Sequence, residues 1–176
     1  MSIGSGHLRH LPASMVALLM LALTFSSGCS YFYDEYGEEK RIPSPIGESY
    51  PFDIEGKIYR VWCGNELQIK NDEHTSYLTL QGVNNPDRTD EIEQKSIDAV
   101  YDLLTEPLVT ATVVGVDEQN RFIAQVRCGD RDINLEMIKS GWGQCDGSEF
   151  ERAPEFKAAQ ATAKANKLGM WALEDD

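Results

Sequence analysis

At 176 residues, with 41% hydrophobic and 26% charged side chains, the chain can bury one sizeable core but cannot hold two ordinary domains beside a leader and a linker. Its formal net charge of −13 works against partners held through a phosphate backbone, since such binding relies on Lys and Arg that displace counterions, although a local basic patch stays compatible with it. The histidines His7, His10 and His74 supply no spaced ligand set and there is no Cys-x-x-Cys, which argues against a zinc site.

In chain order, His7, Arg9 and His10 make a weakly positive start, and an uncharged apolar run follows from Met15 to Phe25. That is the length of a secretion-signal core and too short to span a bilayer. Ser26-Ser27-Gly28-Cys29 then resembles the bacterial lipobox, with Ser26 where a leucine is usual. The expectation is a lipoprotein signal peptide over 1–28 and a lipid such as palmitate on Cys29; ordinary cleavage, with Cys29 a bystander, is the competing reading. Ser30 fits outer-membrane sorting, which implies a lipid-anchored envelope protein facing the periplasm or the exterior. Arg9 is the only charged residue before Cys29, so removing residues 1–28 takes the net charge from −13 to −14. Disulfides persist in an exported domain, so Cys63, Cys128 and Cys145 are expected to make one bridge and leave one thiol, with the pairing open.

Residues 29–52 read as the acylated N-terminus and a flexible linker: Tyr31 to Arg41 is acidic and aromatic, and Pro43, Pro45, Gly47 and Pro51 follow without a sustained period. Its tyrosines could instead pack on the domain, which is expected over 53–176. Short strands are predicted at Ile58–Trp62, Leu67–Lys70, Tyr77–Leu80 running into Gly82-Val83, Leu108–Val116 and Phe122–Val126, with hairpin turn Asp117–Asn120 between the last two. A helix separates the two groups: Asp90 with Glu93 suits a capping box, Ile92, Ile97, Val100, Tyr101 and Leu104 share a face, and Pro107 ends it. A second helix at about Ile133–Ser140 stops at Gly141, and a third runs from Pro154 to Gly169. The pattern predicts an α+β, mainly β fold, a five-stranded Greek-key barrel of the OB type with three helices.

Several local motifs then align with one family. Gly82-Val83-Asn84-Asn85-Pro86-Asp87 resembles the G-I-D-x-P-E loop of the staphylococcal nuclease (thermonuclease-like) family, and Asp117–Arg121 its D-x-Y-G-R hairpin. Asp132-Ile133-Asn134 through Gly141 resembles its D-I-N-x-x-M-V-x-x-G helix, and Ala158–Trp171 its closing helix with G-L-W end. Cys63-Gly64-Asn65-Glu66 occupies the place of its D-G-D-T turn. The motifs occur in family order over about residues 54–173.

The resemblance implies phosphodiester hydrolysis by Ca²⁺ held on carboxylates, two arginines on the phosphate and a glutamate general base. Hard Ca²⁺ prefers several charged oxygen ligands, and a guanidinium fork matches phosphate bidentately. Position by position the set is depleted here. The metal-binding aspartates become Asn65 and Asn84, one arginine becomes Thr79, and the general base becomes Asp87, one methylene shorter. Arg121 survives, beside Gln119 and Asn120 in place of tyrosine and glycine. Glu66 and Arg88 could replace a lost carboxylate and arginine; the plainer reading makes both solvated turn charges, and Arg121 a hairpin-tip charge. Trp62 and Trp142 read as core or rim aromatics rather than a base-stacking platform. The expectation is therefore a catalytically degenerate envelope module without metal or cofactor, held to the membrane through Cys29 and binding an unknown envelope protein or ligand. The alternative is a weak, Ca²⁺-dependent nuclease using Asp87 and Arg121, and a third reading, single-strand binding without hydrolysis, is opposed by the net charge.

Overall fold

The structure, a computed structural model, describes residues 49–72, 74–85 and 89–173. The expected signal peptide, Cys29, the linker as far as residue 48, and Pro86, Asp87 and Arg88 lie outside the described residues. In chain order the elements are β1 (Phe52–Cys63), β2 (Glu66–Lys70), β3 (Thr75–Leu80), β4 (Val83–Asn84), α1 (Asp90–Leu103), β5 (Val109–Val116), β6 (Phe122–Cys128), β7 (Arg131–Asp132), α2 (Ile133–Lys139), β8 (Gln144–Cys145) and α3 (Ala153–Ala165), followed by a 3₁₀ turn, Gly169–Ala172.

β1 is 12 residues long and starts well ahead of the aromatic run that marks it in the sequence. Its first part, Phe52–Gly56, pairs antiparallel with β5, and its second part, from Lys57, pairs with β2. One long strand thus turns the sheet's corner. Of its start only Phe52 falls in the expected linker; residues 53–57 lie in the expected domain but ahead of the predicted strand, with exposed Asp53 and Glu55 alternating with half-buried Phe52 and Ile54. β2 continues antiparallel to β3, and β5 to β6. Parallel pairing of β3 with β6 then closes the sheet, setting Leu78 opposite Phe122, Thr79 opposite Ile123 and Leu80 opposite Ala124. The outcome is the expected closed five-stranded OB-type barrel with three helices. Inward residues Leu67, Ile69, Leu78, Leu80, Ala111, Val113, Ala124 and Val126 are each no more than 1% exposed. Burying a Leu, Ile or Val of this kind contributes about 1.5–3 kcal/mol.

β3 stops at Leu80 instead of running on through Val83: Gly82 takes φ +78°, and Val83–Asn84 forms the separate β4, paired with β8. α1 is capped by Thr89, not Asp90. Thr89 has the extended backbone of a cap (φ −135°, ψ 156°), its hydroxyl accepts from the Ile92 N–H at 3.3 Å, and Asp90 is already in the first turn. Tyr101, expected on the apolar face, is 47% exposed. α3 ends at Ala165 rather than Gly169; Lys167 adopts φ +52° and the chain turns into the 3₁₀ segment. There Met170 N–H donates to Gly141 O at 3.0 Å. Gly141 itself takes φ +76°, and a Cβ on it would lie 2.2 Å from the Leu168 carbonyl oxygen, so only glycine ends α2 here.

Cys63, Cys128 and Cys145 form no disulfide with one another, so the expected bridge is absent among the described residues. The Cys63 thiol donates to Asn65 Oδ1 at 3.2 Å, and Cys128 Sγ accepts from the Glu106 N–H at 3.3 Å. Cys145 lies on β8, opposite Val83. The Cys63 and Cys128 sulfurs are thus taken up by separate local partners.

α2 seals the barrel through one side chain. Asn134, wholly buried, donates from Nδ2 to the carbonyls of Gln81 (3.0 Å) and Ala124 (2.9 Å), while its Oδ1 accepts from Val126 N–H at 2.8 Å. Gln81 N–H also donates to Ala124 O at 2.9 Å, so the amide ties the end of β3 to β6 where the closing ladder runs out. Asn134→Ala removes the amide from Val126 N–H and Gln81 O and one of two donors from Ala124 O, and is expected to cost about 3 kcal/mol. Urea unfolding followed by tryptophan fluorescence checks this; an unchanged midpoint would show that the closure does not depend on the amide.

Candidate functional site

Register alone assembles the site. β2–β3 pairing sets Glu66 directly across from Thr79, and barrel closure brings Thr79 beside the start of β6, where the Asp117–Arg121 turn enters. Asp117 builds that turn. Its N–H donates to Arg121 O (2.9 Å), its carbonyl accepts from Asn120 N–H (3.0 Å), and its Oδ1 accepts from the N–H groups of Gln119 and Arg121, each at 2.9 Å. Asn120 takes φ +62°, a left-handed conformation that asparagine tolerates.

Asp117 Oδ2 is left to accept from Arg121 Nε at 2.7 Å and from the Thr79 hydroxyl at 3.2 Å. The same guanidinium reaches Glu66 Oε1 from Nη1 at 2.5 Å and Gln119 Oε1 from Nη2 at 3.3 Å. Arg121 is therefore a half-buried cation clasped by two carboxylates, with all three nitrogens donating, rather than a loose charge at a hairpin tip. Glu66 opens β2 and belongs to that clasp rather than to a solvated turn. Burial pushes the Asp117 carboxyl up, but hydrogen bonds from the Arg121 backbone and side chain and from Thr79 outweigh it and hold the group below its ordinary value. A depressed carboxyl stabilises the fold above its unfolded value, and that contribution is lost as pH falls through the folded one. Burial opposes the charge of Arg121 as well, yet Asp117 and Glu66 raise its pKa.

The second half of the expected site is tied into the fold. Asn65, 8% exposed, donates from Nδ2 to Val83 O at 3.2 Å while its Oδ1 accepts the Cys63 thiol, and its carbonyl accepts from Leu80 N–H at 2.9 Å. Above the turn sits α1. A Cβ on Gly64 would come within 1.7 Å of Ser96 Oγ, and that hydroxyl, fully buried, donates to Trp142 O at 2.8 Å. Asn84 lies exposed on β4, across from Gln144. Trp142 packs at the rim between the main core and the smaller cluster of Ile92, Ala163, Met170 and Trp171, and Trp62 is half-buried, as rim aromatics should be.

The structure thus brings Glu66, Thr79, Asp117 and Arg121 into one cluster and turns Asn65 inward; Asp87 and Arg88 lie outside the described residues. The described residues do not fit a Ca²⁺ ion. A calcium site needs several outward oxygen ligands with negative charge. Here both ends of the Asn65 amide are committed, the Glu66 carboxylate is neutralised by Arg121, and the guanidinium between the acids would repel a dication. Asp117 escapes a reading by family motif because there it is only the first letter of the hairpin; its spacing of four from Arg121 across a tight turn is the signal that points to it.

The model of the family described as "Staphylococcal nuclease homologue" matches residues 77–173. A "Probable staphylococcal-like nuclease" of Oryza sativa subsp. japonica is 26% identical over 98 residues, covering 56% of this chain and 20% of that protein. An "Uncharacterized endonuclease" of Haemophilus influenzae is 30% identical over 97 residues, covering 54% and 53%, and a "Probable endonuclease" of Phaeosphaeria nodorum is 33% identical over 82 residues, covering 42% and 28%. The chain therefore spans about half or less of the length of these relatives. β1 and β2 precede the segment matched by the family model, yet they complete the same barrel.

Restoring the family's acid at the turn tests the inward role of Asn65. Asn65→Asp removes the donor to Val83 O and buries a charge, with an expected loss of about 2 kcal/mol at neutral pH. Burial raises the new carboxyl's folded-state pKa, so the deficit should shrink as pH falls towards its unfolded value of about 4, where protonation returns a donor. Chemical unfolding from pH 7 to pH 4 reads this; a loss that is constant or deepens relative to the parent protein would contradict it.

Proposed function

Because the chain belongs to the staphylococcal nuclease homologue family, we propose that its barrel is a catalytically degenerate nuclease-like domain, working as a binding module held at the cell envelope by lipid on Cys29. Phosphodiester hydrolysis needs neutralised phosphate charge, a positioned water and, in this family, a hard cation. The observation that carries the reading is the clasp on Arg121. A phosphate seeking that guanidinium meets two carboxylates already bound to it, Glu66 and Asp117, and would have to displace both. Removal of one preorganised transition-state contact costs on the order of 10²–10³ in rate, and here Thr79 stands for one arginine while Asn65 points away from any metal. The relatives' names speak of endonucleases; the local substitutions in this chain support a different use of the same barrel.

The protein is expected to show no Ca²⁺-dependent cleavage of single-stranded DNA or RNA above an Arg121→Ala variant, measured with millimolar Ca²⁺ and with chelator, on material shown to be folded. Cleavage that requires Ca²⁺ and disappears in Arg121→Ala would instead establish a calcium-dependent nuclease and move the search for ligands to Asp87 and its neighbours. The envelope anchor has its own readout. Expressed with its leader in a lipoprotein-processing bacterium, the protein should take up labelled palmitate and fractionate with membranes, and Cys29→Ser should lose both; label retained in that variant would sink the anchor.

A further inference from the structure

Two β-bulges interrupt the β1–β2 ribbon. The register pairs Ile58 with Ile69 and next Arg60 with Gln68, then Val61 with Leu67 and next Cys63 with Glu66, which leaves Tyr59 and Trp62 as the extra residues. Bulges re-aim side chains. Tyr59 stands 57% exposed with the Lys70 ammonium 5.1 Å from its ring centroid, and the Arg60 guanidinium lies 4.5 Å from the Trp62 centroid. Exposed Lys57 pairs in register with exposed Lys70, two like charges set opposite each other on one face.

A chain of net charge −13 thus gathers three cations and two aromatic rings on one ribbon. Glu55 borders the patch on β1, and Asp53 beyond it accepts from the Thr112 hydroxyl at 2.7 Å. At the other end Glu66 is neutralised by Arg121. The ribbon therefore suits an extended ligand that alternates carboxylates with rings.

The chain itself contains such a ligand. Tyr31–Glu39 carries the acids Asp34, Glu35, Glu38 and Glu39 and the rings Tyr31, Phe32, Tyr33 and Tyr36, with no basic residue before Lys40. Residues 40–51, twelve in number, separate it from the start of β1 and reach on the order of 40 Å when extended, against roughly 17 Å for the length of the five-residue β2. We propose that Tyr31–Glu39 docks in cis on the ribbon that carries Lys57, Tyr59, Trp62 and Lys70, its carboxylates on the two lysines and its rings beside the two aromatic rings. A tether this short sets an effective concentration near the millimolar range, so weak contacts suffice. OB barrels take ligands on the face of their second and third strands, which is continuous with this ribbon.

Zero-length carbodiimide cross-linking of the full-length chain, on a mixture of ¹⁴N- and ¹⁵N-labelled protein, tests this. Cross-links from Lys57 or Lys70 to Asp34, Glu35, Glu38 or Glu39 within one copy are expected. The combined variant Asp34→Asn, Glu35→Gln, Glu38→Gln, Glu39→Gln, which leaves the barrel intact, should also raise acetylation rates of Lys57 and Lys70 several-fold while Lys139 and Lys157 keep theirs. Absence of those cross-links, cross-links only between differently labelled copies, or unchanged acetylation of Lys57 and Lys70 would each overturn the proposal.

Discussion

Parallel pairing of β3 with β6 is the constraint on which the molecule depends. Without it the chain would be an open sheet of antiparallel ribbons with two bare edges, and its inward residues would face solvent. The pairing is short, from Leu78–Leu80 against Phe122–Ala124, and parallel ladders are slightly weaker per residue than antiparallel ones. It is extended by the Gln81–Ala124 hydrogen bond and then by the Asn134 amide, which binds both strands from the helix above. A polar residue at the centre of an apolar core is tolerated because its donors and its oxygen are used.

Closure also decides the chemistry of the surface. Glu66, Thr79 and Arg121 come from three strands or their edges and meet only because the barrel is shut. Once together they solve a local electrostatic problem: two acids at adjacent positions on a half-buried face would repel, and one arginine between them satisfies both. The same clasp that stabilises the face withdraws the arginine from phosphate. At the neighbouring turn, asparagine for aspartate is more than a lost charge. Its Nδ2 gains a donor role towards Val83 that a carboxylate lacks, so a ligand position becomes a tie between the turn and β4.

Charge is unevenly spread over the molecule. Several exposed lysines sit in local ion pairs such as Lys95–Glu91, Lys139–Glu136 and Lys157–Glu149, each worth little in water. Lys57 and Lys70 instead share the bulged ribbon with aromatic rings. These cations stand on a chain whose net charge is −13.

Much was legible from the sequence alone. Alternation at Leu67–Lys70 and Phe122–Val126 and the glycine at 141 marked strands and a helix end, because period and turn chemistry are local properties, and the ordered motifs from Gly82 to Trp171 implied the barrel through the family they resemble. The depletion of charged ligands at Asn65, Thr79 and Asn84 was equally plain, since it is a matter of residue identity. Tertiary structure alone decided the rest. Thr89 rather than Asp90 capped α1 by its backbone angles, and β1 began early because β5 was there to pair with Asp53 and its neighbours. Cys63 and Cys128 found hydrogen-bonding partners in place of a bridge. Arg121 became a clasped cation rather than a free one because Glu66 and Asp117, 55 and four residues away along the chain, reach it only across a closed barrel and a tight turn. Spacing in sequence encodes what lies on one strand or helix; distances between strands arise only when the sheet curls shut.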